Sequence, residues 1–181
     1  MKRLLFLTGN PSIGKTTVLT KTIDGLKSRG YSTGGMISHE VRKGDARIGF
    51  EIQDLATGKR GWLAHVNQQN GPRLGKYYVN LTDLDNIGVN AINEAMKHEK
   101  VIAIDEIGPM ELFSPKFQEA VKKAIESEKL VIGVVHGKAK ATLIDAIRTR
   151  EDADITIVTF ENRSTLHEII LEKALKFLQT A

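Results

Sequence analysis

The sequence predicts an α/β fold with a mostly parallel sheet that helices cover on both faces. Three observations support this prediction. Short continuous apolar runs, LLFL at 4–7, VIAI at 101–104 and LVIGVV at 130–135, are typical of parallel strands buried on both faces. Segments with the 3.6-residue apolar period of helices alternate with these runs. A glycine-containing loop joins the first run to the first helical segment, as strand, loop and helix.

The first strand covers Leu4–Leu7, and the helix after the glycine loop runs from Lys15 to about Arg29. Its apolar residues recur on one face, and Gly30 stands where a helix would end.

Residues 31–82 follow a different pattern, with alternating polar and apolar residues between glycine turns. Gly34-Gly35 and a turn at 43–45 bracket MISHEV, and a turn at 57–59 separates RIGFEIQDL from GWLAHV. Such patterns predict antiparallel hairpins, and the polar stretch NQQNGPRLGKYY predicts a loop. We expect residues 31–82 to be a hairpin insertion, or an edge extension of the main sheet, within one domain spanning 1–181.

The alternation of helix and strand resumes after the insertion. Helices are predicted over 83–97, after a Ser114 cap, over 139–147, and after a cap at Asn162 or Ser164. The last strand is ITIVTF at 155–160. The final helix places its apolar residues on the 3.6-residue period: Leu166, Ile169, Ile170, Ala174, Phe177 and Leu178.

Composition excludes several classes of protein. The chain has 181 residues, no cysteine, and a net charge of +4 from 26 basic and 22 acidic residues. Disulfides and thiolate metal sites are therefore excluded, and the five histidines show no metal-ligand spacing. The short apolar run at the N-terminus does not resemble a signal peptide, and no segment is long enough to span a membrane. We expect a cytoplasmic monomer with some preference for anionic ligands.

The loop after the first strand matches the phosphate-binding pattern Gly-x-x-x-x-Gly-Lys-Ser/Thr. Its glycines let backbone N–H groups surround an oxyanion at the start of a helix. Lys15 is placed to neutralise β- and γ-phosphate oxygens, Thr16 to ligate Mg²⁺, and Thr17 to contact the α-phosphate. The predicted nucleotide-binding loop comprises Gly9, Asn10, Pro11, Ser12, Ile13, Gly14, Lys15, Thr16 and Thr17.

Two acidic residues follow the strand at 101–104. Asp105 would reach the same sheet edge and hold Mg²⁺ with Thr16, and Glu106 would face the γ-phosphate and polarise a water molecule. The alternative is an acidic turn without a catalytic role. Asp105–Gly108 also matches the Asp-x-x-Gly of GTP-driven switches, but the chain lacks their guanine-reading Asn-Lys-x-Asp. We therefore expect a hydrolase that tolerates different bases.

Further candidates have weaker patterns, and each has a structural alternative. His136 would sense the γ-phosphate if its strand lay between the other two apolar strands. Arg148 and Arg150 would act as arginine fingers, or else form a solvated helix end. Asn162 and Arg163 lie where a base-contacting loop is expected. The least specific candidates are the cations Arg73 and Lys76, and Glu111, which supports the site or caps a helix.

Five segments together resemble the small P-loop nucleoside-triphosphatases first known from thermophiles, a family with cancer-related relatives in vertebrates. They are GNPSIGKTT, GGMISHEVRKGDARIGFEIQDL, RLGKYYVNL, DEIGPMELFS and TFENRSTL, which together cover nearly the whole chain. The middle segments are more specific than the phosphate loop, which many unrelated proteins share.

The resemblance implies slow Mg²⁺-dependent hydrolysis of ATP, GTP and other nucleoside triphosphates on a RecA-like core. It makes Glu106 the catalytic base. Ser12 stands where glycine is usual and Pro109 where a lysine is common, which puts a lysine role beside Glu106 in doubt. The second nucleotide-binding segment implied by the resemblance is Val101, Ile102, Ala103, Ile104, Asp105, Glu106, Ile107 and Gly108.

Two other functions stay open on the sequence. A nucleoside or nucleotide kinase would use the insertion as an acceptor pocket and AIRTRED as an arginine lid. A nucleotide-gated RNA-binding module would use the basic residues and the tryptophan of the insertion, although interleaved acidic residues and the lack of an RNA-binding signature weaken it. These residues are Arg42, Lys43, Arg47, Lys59, Arg60 and Trp62.

Overall fold

The computed structural model describes residues 1–181 and contains one nine-stranded sheet in the order β5-β6-β4-β3-β2-β7-β8-β1-β9. The strands are β1 Leu4–Thr8, β2 Thr33–Lys43, β3 Ala46–Asp54, β4 Arg60–His65, β5 Arg73–Leu74, β6 Tyr77–Val79, β7 Val101–Ile107, β8 Leu130–Val135 and β9 Ala153–Ile157. The helices are α1 Lys15–Lys27, α2 Leu81–Asp83, α3 Asn90–His98, α4 Pro115–Glu126, α5 Thr142–Arg148 and α6 Leu166–Leu178, with a π-helical segment at Leu84–Val89 and a 3₁₀ turn at Glu111–Phe113.

Parallel pairing joins β2, β7, β8, β1 and β9, as the apolar runs predicted. Alternate residues of these strands point to opposite faces. Leu4 and Phe6 of β1 belong to a core of 25 buried residues, whereas Leu5 and Leu7 belong to a second core of 15. Helices α1 and α6 cover the second core, and α3, α4 and α5 cover the first. The predicted α/β class is therefore confirmed, with β8 between β1 and β7.

The insertion is an edge extension of this sheet. Strand β2 pairs in parallel with β7 through its first residues and antiparallel with β3 through the rest. Gly34-Gly35, expected to bracket the strand MISHEV, lies inside β2. Gly35 has φ +112°, and a Cβ there would lie 2.1 Å from the carbonyl oxygen of Ala103 on β7. Glycine is required because the two backbones approach closely here.

The predicted loop NQQNGPRLGKYY contains the short strands β5 and β6, which extend the sheet beyond β4. Periodicity missed them because each is only two or three residues long. The helix predicted over 83–97 begins at Leu81, since the Asn80 side chain caps it by accepting from the backbone N–H of Asp83 at 3.0 Å.

Three other boundaries differ from prediction. Helix α5 begins at Thr142 instead of Ala139, because the backbone N–H of Ala139 donates to the His136 ring. Strand β9 covers Ala153–Ile157, earlier than ITIVTF, and neither Asn162 nor Ser164 is the N-cap of α6, which is Thr165. Ile169, expected on the apolar face of α6, is half exposed.

No helix in the structure combines the length and apolarity that crossing a membrane requires.

Candidate active site

A cavity of about 990 Å³ opens at the carboxyl ends of β1, β7 and β8. Parallel strands place their carboxyl ends at one edge of the sheet, which is where α/β proteins bind ligands. The phosphate loop forms one wall of the cavity, and Asp105 and Glu106 lie at its floor. Of the predicted loop, all residues except Ile13 line the cavity.

The loop has the backbone geometry that phosphate binding requires. Gly9 and Gly14 have φ +149° and +114°, and a Cβ on Gly9 would lie 2.8 Å from the Val158 carbonyl oxygen. Ser12 has φ +61°, the one non-glycine residue with a positive φ. The serine thus adopts a left-handed conformation at a cost in backbone strain. The Lys15 ammonium donates to the carbonyl oxygens of Gly9 and Asn10 at 2.9 and 2.8 Å.

Thr16 and Asp105 come together although 89 residues separate them. The Thr16 hydroxyl donates to Asp105 Oδ2 at 2.9 Å. Asp105 is 2% exposed, and burial raises the pKa of its carboxyl to about 7 against the hydrogen bonds from Thr16 and the Ser38 backbone.

These two residues fit a magnesium ion. Both offer the hard oxygen ligands that Mg²⁺ prefers, and a cation would favour the ionised form of the buried Asp105. The chain contains no group of three or more His, Asp or Glu side chains able to hold a metal by themselves. An ion here would therefore complete its coordination with phosphate oxygens and water, as Mg²⁺ commonly does.

Glu106 lies beside Asp105 on the cavity floor. Burial raises the pKa of its carboxyl, whereas the charges of Lys15 and His136 lower it. Gly108 leaves the space that this side chain occupies, because a Cβ on Gly108 would lie 2.6 Å from Glu106 Oε1. Burial and neighbouring positive charge thus shift the pKa of this carboxyl in opposite directions, with burial the larger effect.

Glu111, which the sequence left between a supporting and a capping role, lines the cavity and is 3% exposed. Ser114 caps α4 instead, by accepting from the backbone N–H of Phe117 at 3.0 Å. Burial, followed by the charge of Glu106, raises the pKa of Glu111 well above its ordinary value. Glu111 is thus a carboxyl that favours its neutral form beside Glu106.

His136 and Arg148 also line the cavity. The His136 ring Nδ1 accepts from the backbone N–H groups of Lys138 and Ala139, which leaves Nε2 as the nitrogen free to meet a ligand. Arg148 Nη2 donates to the carbonyl oxygens of His136 and Gly137 at 3.0 and 2.9 Å. The end of β8 thereby holds an arginine next to the phosphate loop.

The structure does not bring Arg150 to the cavity. Arg150 pairs with Asp152, which also pairs with Arg3, immediately before β1. Arg150 therefore lies at the amino-terminal edge of the sheet, about 16 Å of strand away from the phosphate loop.

Asn162 and Arg163 lie outside the cavity lining, although close to the loop. The Asn162 side chain accepts from the Thr159 N–H at 2.8 Å and donates to the Ile157 carbonyl at 2.9 Å, so it shapes its own turn. Arg163 lies 4.3 Å from the ring centroid of Phe160, which is 70% exposed, and donates to the Ile13 carbonyl at 3.4 Å.

Most of the other predicted residues lie outside the cavity lining. Of the second nucleotide-binding segment, only Asp105 and Glu106 line the cavity; Val101, Ile102, Ala103, Ile104 and Ile107 are buried in β7. Arg73 and Lys76 lie against the rings of Tyr78 and Tyr77, away from the lining.

Sequence reasoning missed the wall opposite the phosphate loop. We call this wall the hairpin wall; it consists of Glu40, Arg42, Arg47, Phe50, Leu63 and Leu74. The sequence offers the insertion as an acceptor pocket or as a basic surface for RNA, without indicating that Arg42 and Arg47 share one cavity. They separate from the other basic residues of the insertion, since Arg60 pairs with Glu51 outside the cavity. The alternating pattern of the hairpin strands indicates which residues share a face. It does not indicate which of the two faces borders the phosphate loop.

Comparison with known proteins agrees with this architecture. The sequence model of the family described as NTPase matches residues 4–171. The nucleoside-triphosphatase THEP1 of Thermofilum pendens is 47% identical over 161 residues, covering 88% of each chain. That of Methanosarcina acetivorans is 46% identical and covers 95% of this chain and 97% of its own.

Two solved structures share the fold across nearly the whole chain. The solution structure of a human cancer-related nucleoside triphosphatase has a TM-score of 0.82 at 35% identity, covering 96% of this chain and 98% of that one. The crystal structure of THEP1 from the hyperthermophile Aquifex aeolicus has a TM-score of 0.81 at 30% identity, covering 96% and 99%. Because the family model covers residues 4–171 and both curated relatives align over most of the chain, the protein belongs to the NTPase family.

Proposed function

We propose that this chain hydrolyses nucleoside triphosphates, ATP, GTP, CTP and UTP alike, to the diphosphate and orthophosphate with Mg²⁺. The observation that carries the proposal is the hydrogen bond of 2.9 Å between Thr16 and Asp105, with Glu106 next to it on the cavity floor. This contact supports the proposal because it joins the two proposed metal ligands beside the phosphate loop and next to the proposed base. One chain supplies the phosphate loop, both proposed metal ligands and the proposed base, so we propose a monomer.

In the proposed reaction the loop amides and Lys15 bind the β- and γ-phosphates, and Thr16 and Asp105 hold Mg²⁺. Mg²⁺, when bound by these residues, would neutralise phosphate charge and so favour departure of the diphosphate. A water oxygen attacks the γ-phosphorus, the bond from that phosphorus to the bridging oxygen breaks, and Glu106 accepts a proton from the water. Arg148 and His136 Nε2 would contact the phosphoryl oxygens as charge shifts towards the leaving diphosphate.

Low base selectivity is part of the proposal. The amide of Asn162 is already bonded to its own turn, and the chain lacks the carboxylate motif that selects guanine. Arg163 lies over the exposed ring of Phe160 and donates to the carbonyl oxygen of Ile13 in the loop. An aromatic ring and a guanidinium stack on any base, since every base has a π face.

The test is phosphate release from each of the four triphosphates with Mg²⁺, for the parent protein and Glu106→Gln. Nucleosides and nucleoside monophosphates are included as acceptors. We expect slow release from all four, unmodified acceptors, and turnover about 10²–10⁴-fold lower in the variant. The variant should bind a triphosphate as tightly as the parent, because Glu106 acts on the water.

A phosphorylated acceptor would instead identify a kinase, with water as the fallback acceptor. Turnover by Glu106→Gln at the parent's rate would show that Glu106 is not the base.

A further inference from the structure

The hairpin wall carries an unusual pair of charges. Arg42 of β2 and Arg47 of β3 are direct partners across the antiparallel pair, immediately after a register shift between Val41 and Arg42. Like charges directly opposite each other destabilise a sheet. Bulges occur next to active sites, where they redirect a side chain. Both guanidinium groups line the cavity that contains the phosphate loop.

The structure holds both arginines in place through hydrogen bonds. Arg47 Nε donates to the Tyr77 hydroxyl at 2.8 Å, and its guanidinium lies 5.1 Å from the centroid of the Phe50 ring. One carboxylate, Glu40, serves both arginines, with Arg47 at 3.5 Å and Arg42 closer. The group of three has a net charge of +1, and the arginine side chains are still 51% and 35% exposed. It is thus a preorganised cationic site in which some guanidinium N–H groups have no partner and can bind a ligand.

The backbone that carries this cationic site extends away from the metal pair. The Ser38 backbone bonds the Asp105 carboxylate, and Arg42 is four positions further along β2. At about 3.3 Å per residue, that is about 13 Å. Apolar side chains of Phe50, Leu63 and Leu74 line the cavity on the same side.

We propose that the hairpin wall binds a second ligand, a nucleoside monophosphate, while the phosphate loop holds the triphosphate. The proposal rests on the proposed function in placing the triphosphate in the loop. The phosphate monoester binds the Arg42–Arg47 pair, whose planar forks match its oxygens. The base packs on Phe50, Leu63 and Leu74. The cavity volume of about 990 Å³ is at the upper end of ligand pockets, which leaves room for both molecules.

The test is isothermal titration calorimetry of AMP and UMP into the full chain saturated with Mg²⁺ and a non-hydrolysable ATP analogue. We expect one equivalent to bind the loaded protein. Arg42→Gln should weaken that binding about tenfold or more, because hydrogen bonds to charged groups are lost. Arg47→Lys keeps the charge and much of the packing but loses the fork, so it should also weaken binding.

Lys43→Gln is the matched control, since it removes the same charge from the same hairpin at a side chain outside the cavity lining. Its affinity for AMP should stay within about twofold of the parent. The proposal is overturned if AMP fails to bind the loaded protein or if AMP competes with the analogue. Inorganic phosphate binding as well as AMP would overturn it too, as would an equal loss in Lys43→Gln.

These outcomes are separate from those of the hydrolysis assay, because the titration involves no turnover. A protein that binds AMP beside the analogue but releases no phosphate from ATP would refute the hydrolase proposal alone.

Discussion

The parallel and antiparallel halves of the sheet differ in how their strands are buried. Strand β8 is buried at every residue, and β1 at all but its last. Strand β3 instead mixes buried with partly exposed and exposed residues, because one of its faces borders the cavity and solvent. Full burial requires continuous apolar runs and aligns the strand ends at one edge. We therefore propose that the parallel half carries the phosphate chemistry, while the antiparallel half supplies another wall of the cavity.

The largest expected effect tests the junction of the two halves. Gly35→Ala should lower the free energy of unfolding by about 3 kcal/mol or more, because its Cβ would meet the Ala103 carbonyl of β7. Gly44→Ala, at the tip of the β2–β3 hairpin, has a positive φ but open space around it. It should cost only about 1–2 kcal/mol.

Urea denaturation of both variants measures the difference. Equal losses would mean that β2 does not depend on its close approach to β7.

Within the parallel half, Arg148 lies at the edge of the sheet that carries the cavity and Arg150 at the opposite edge. Arg148→Ala should lower kcat about 10²-fold or more, since Arg148 lines the cavity and would stabilise charge on the phosphoryl group. Arg150→Ala should leave kcat within about twofold and destabilise the protein by less than about 1 kcal/mol, since it removes one partly exposed ion pair.

Steady-state phosphate release with ATP measures both arginine variants. An equal loss of activity in the two variants would contradict the expectation that Arg150, at the far edge of the sheet, has no part in turnover.

Glu111 is a buried carboxyl in the lining of the cavity. In the unfolded chain its carboxyl loses a proton near pH 4.3, whereas burial raises its pKa in the folded protein. Unfolding then releases a proton, so the free energy of unfolding falls as pH rises through this window. Glu111→Gln should remove up to about 1.4 kcal/mol per pH unit of that fall.

The measurement is urea denaturation of both proteins in chelator at a series of pH values from 5 upwards. An unchanged slope in the variant would show that Glu111 is not a source of the pH dependence.

The smallest effect concerns the phosphate loop alone. Ser12→Gly should raise the free energy of unfolding by up to about 1 kcal/mol, because glycine adopts the observed φ of +61° without strain. Turnover should stay within about twofold, since Gly9 and Gly14 still shape the loop. Thermal unfolding of the two proteins measures it, and a lower melting temperature for the glycine variant would contradict the strain at Ser12.

The sequence by itself determined the parallel core and the residue types at its edge. Apolar runs, the glycine loop and the acidic pair Asp105-Glu106 are local patterns. Local patterns can be recognised in the sequence without knowing the fold. Even so, periodicity could not find β5 and β6, which are too short, or the parallel pairing that places Gly35 inside β2.

Only the tertiary structure decided which charged residues meet. Arg148 and Arg150 are two residues apart, yet one faces the phosphate loop and the other pairs with Asp152 at the far edge. Arg42 and Arg47 reach the cavity because β2 continues past Asp105 before turning into β3. A charged side chain has no preferred partner in the sequence, because its environment depends on strands that are distant along the chain and adjacent in the sheet.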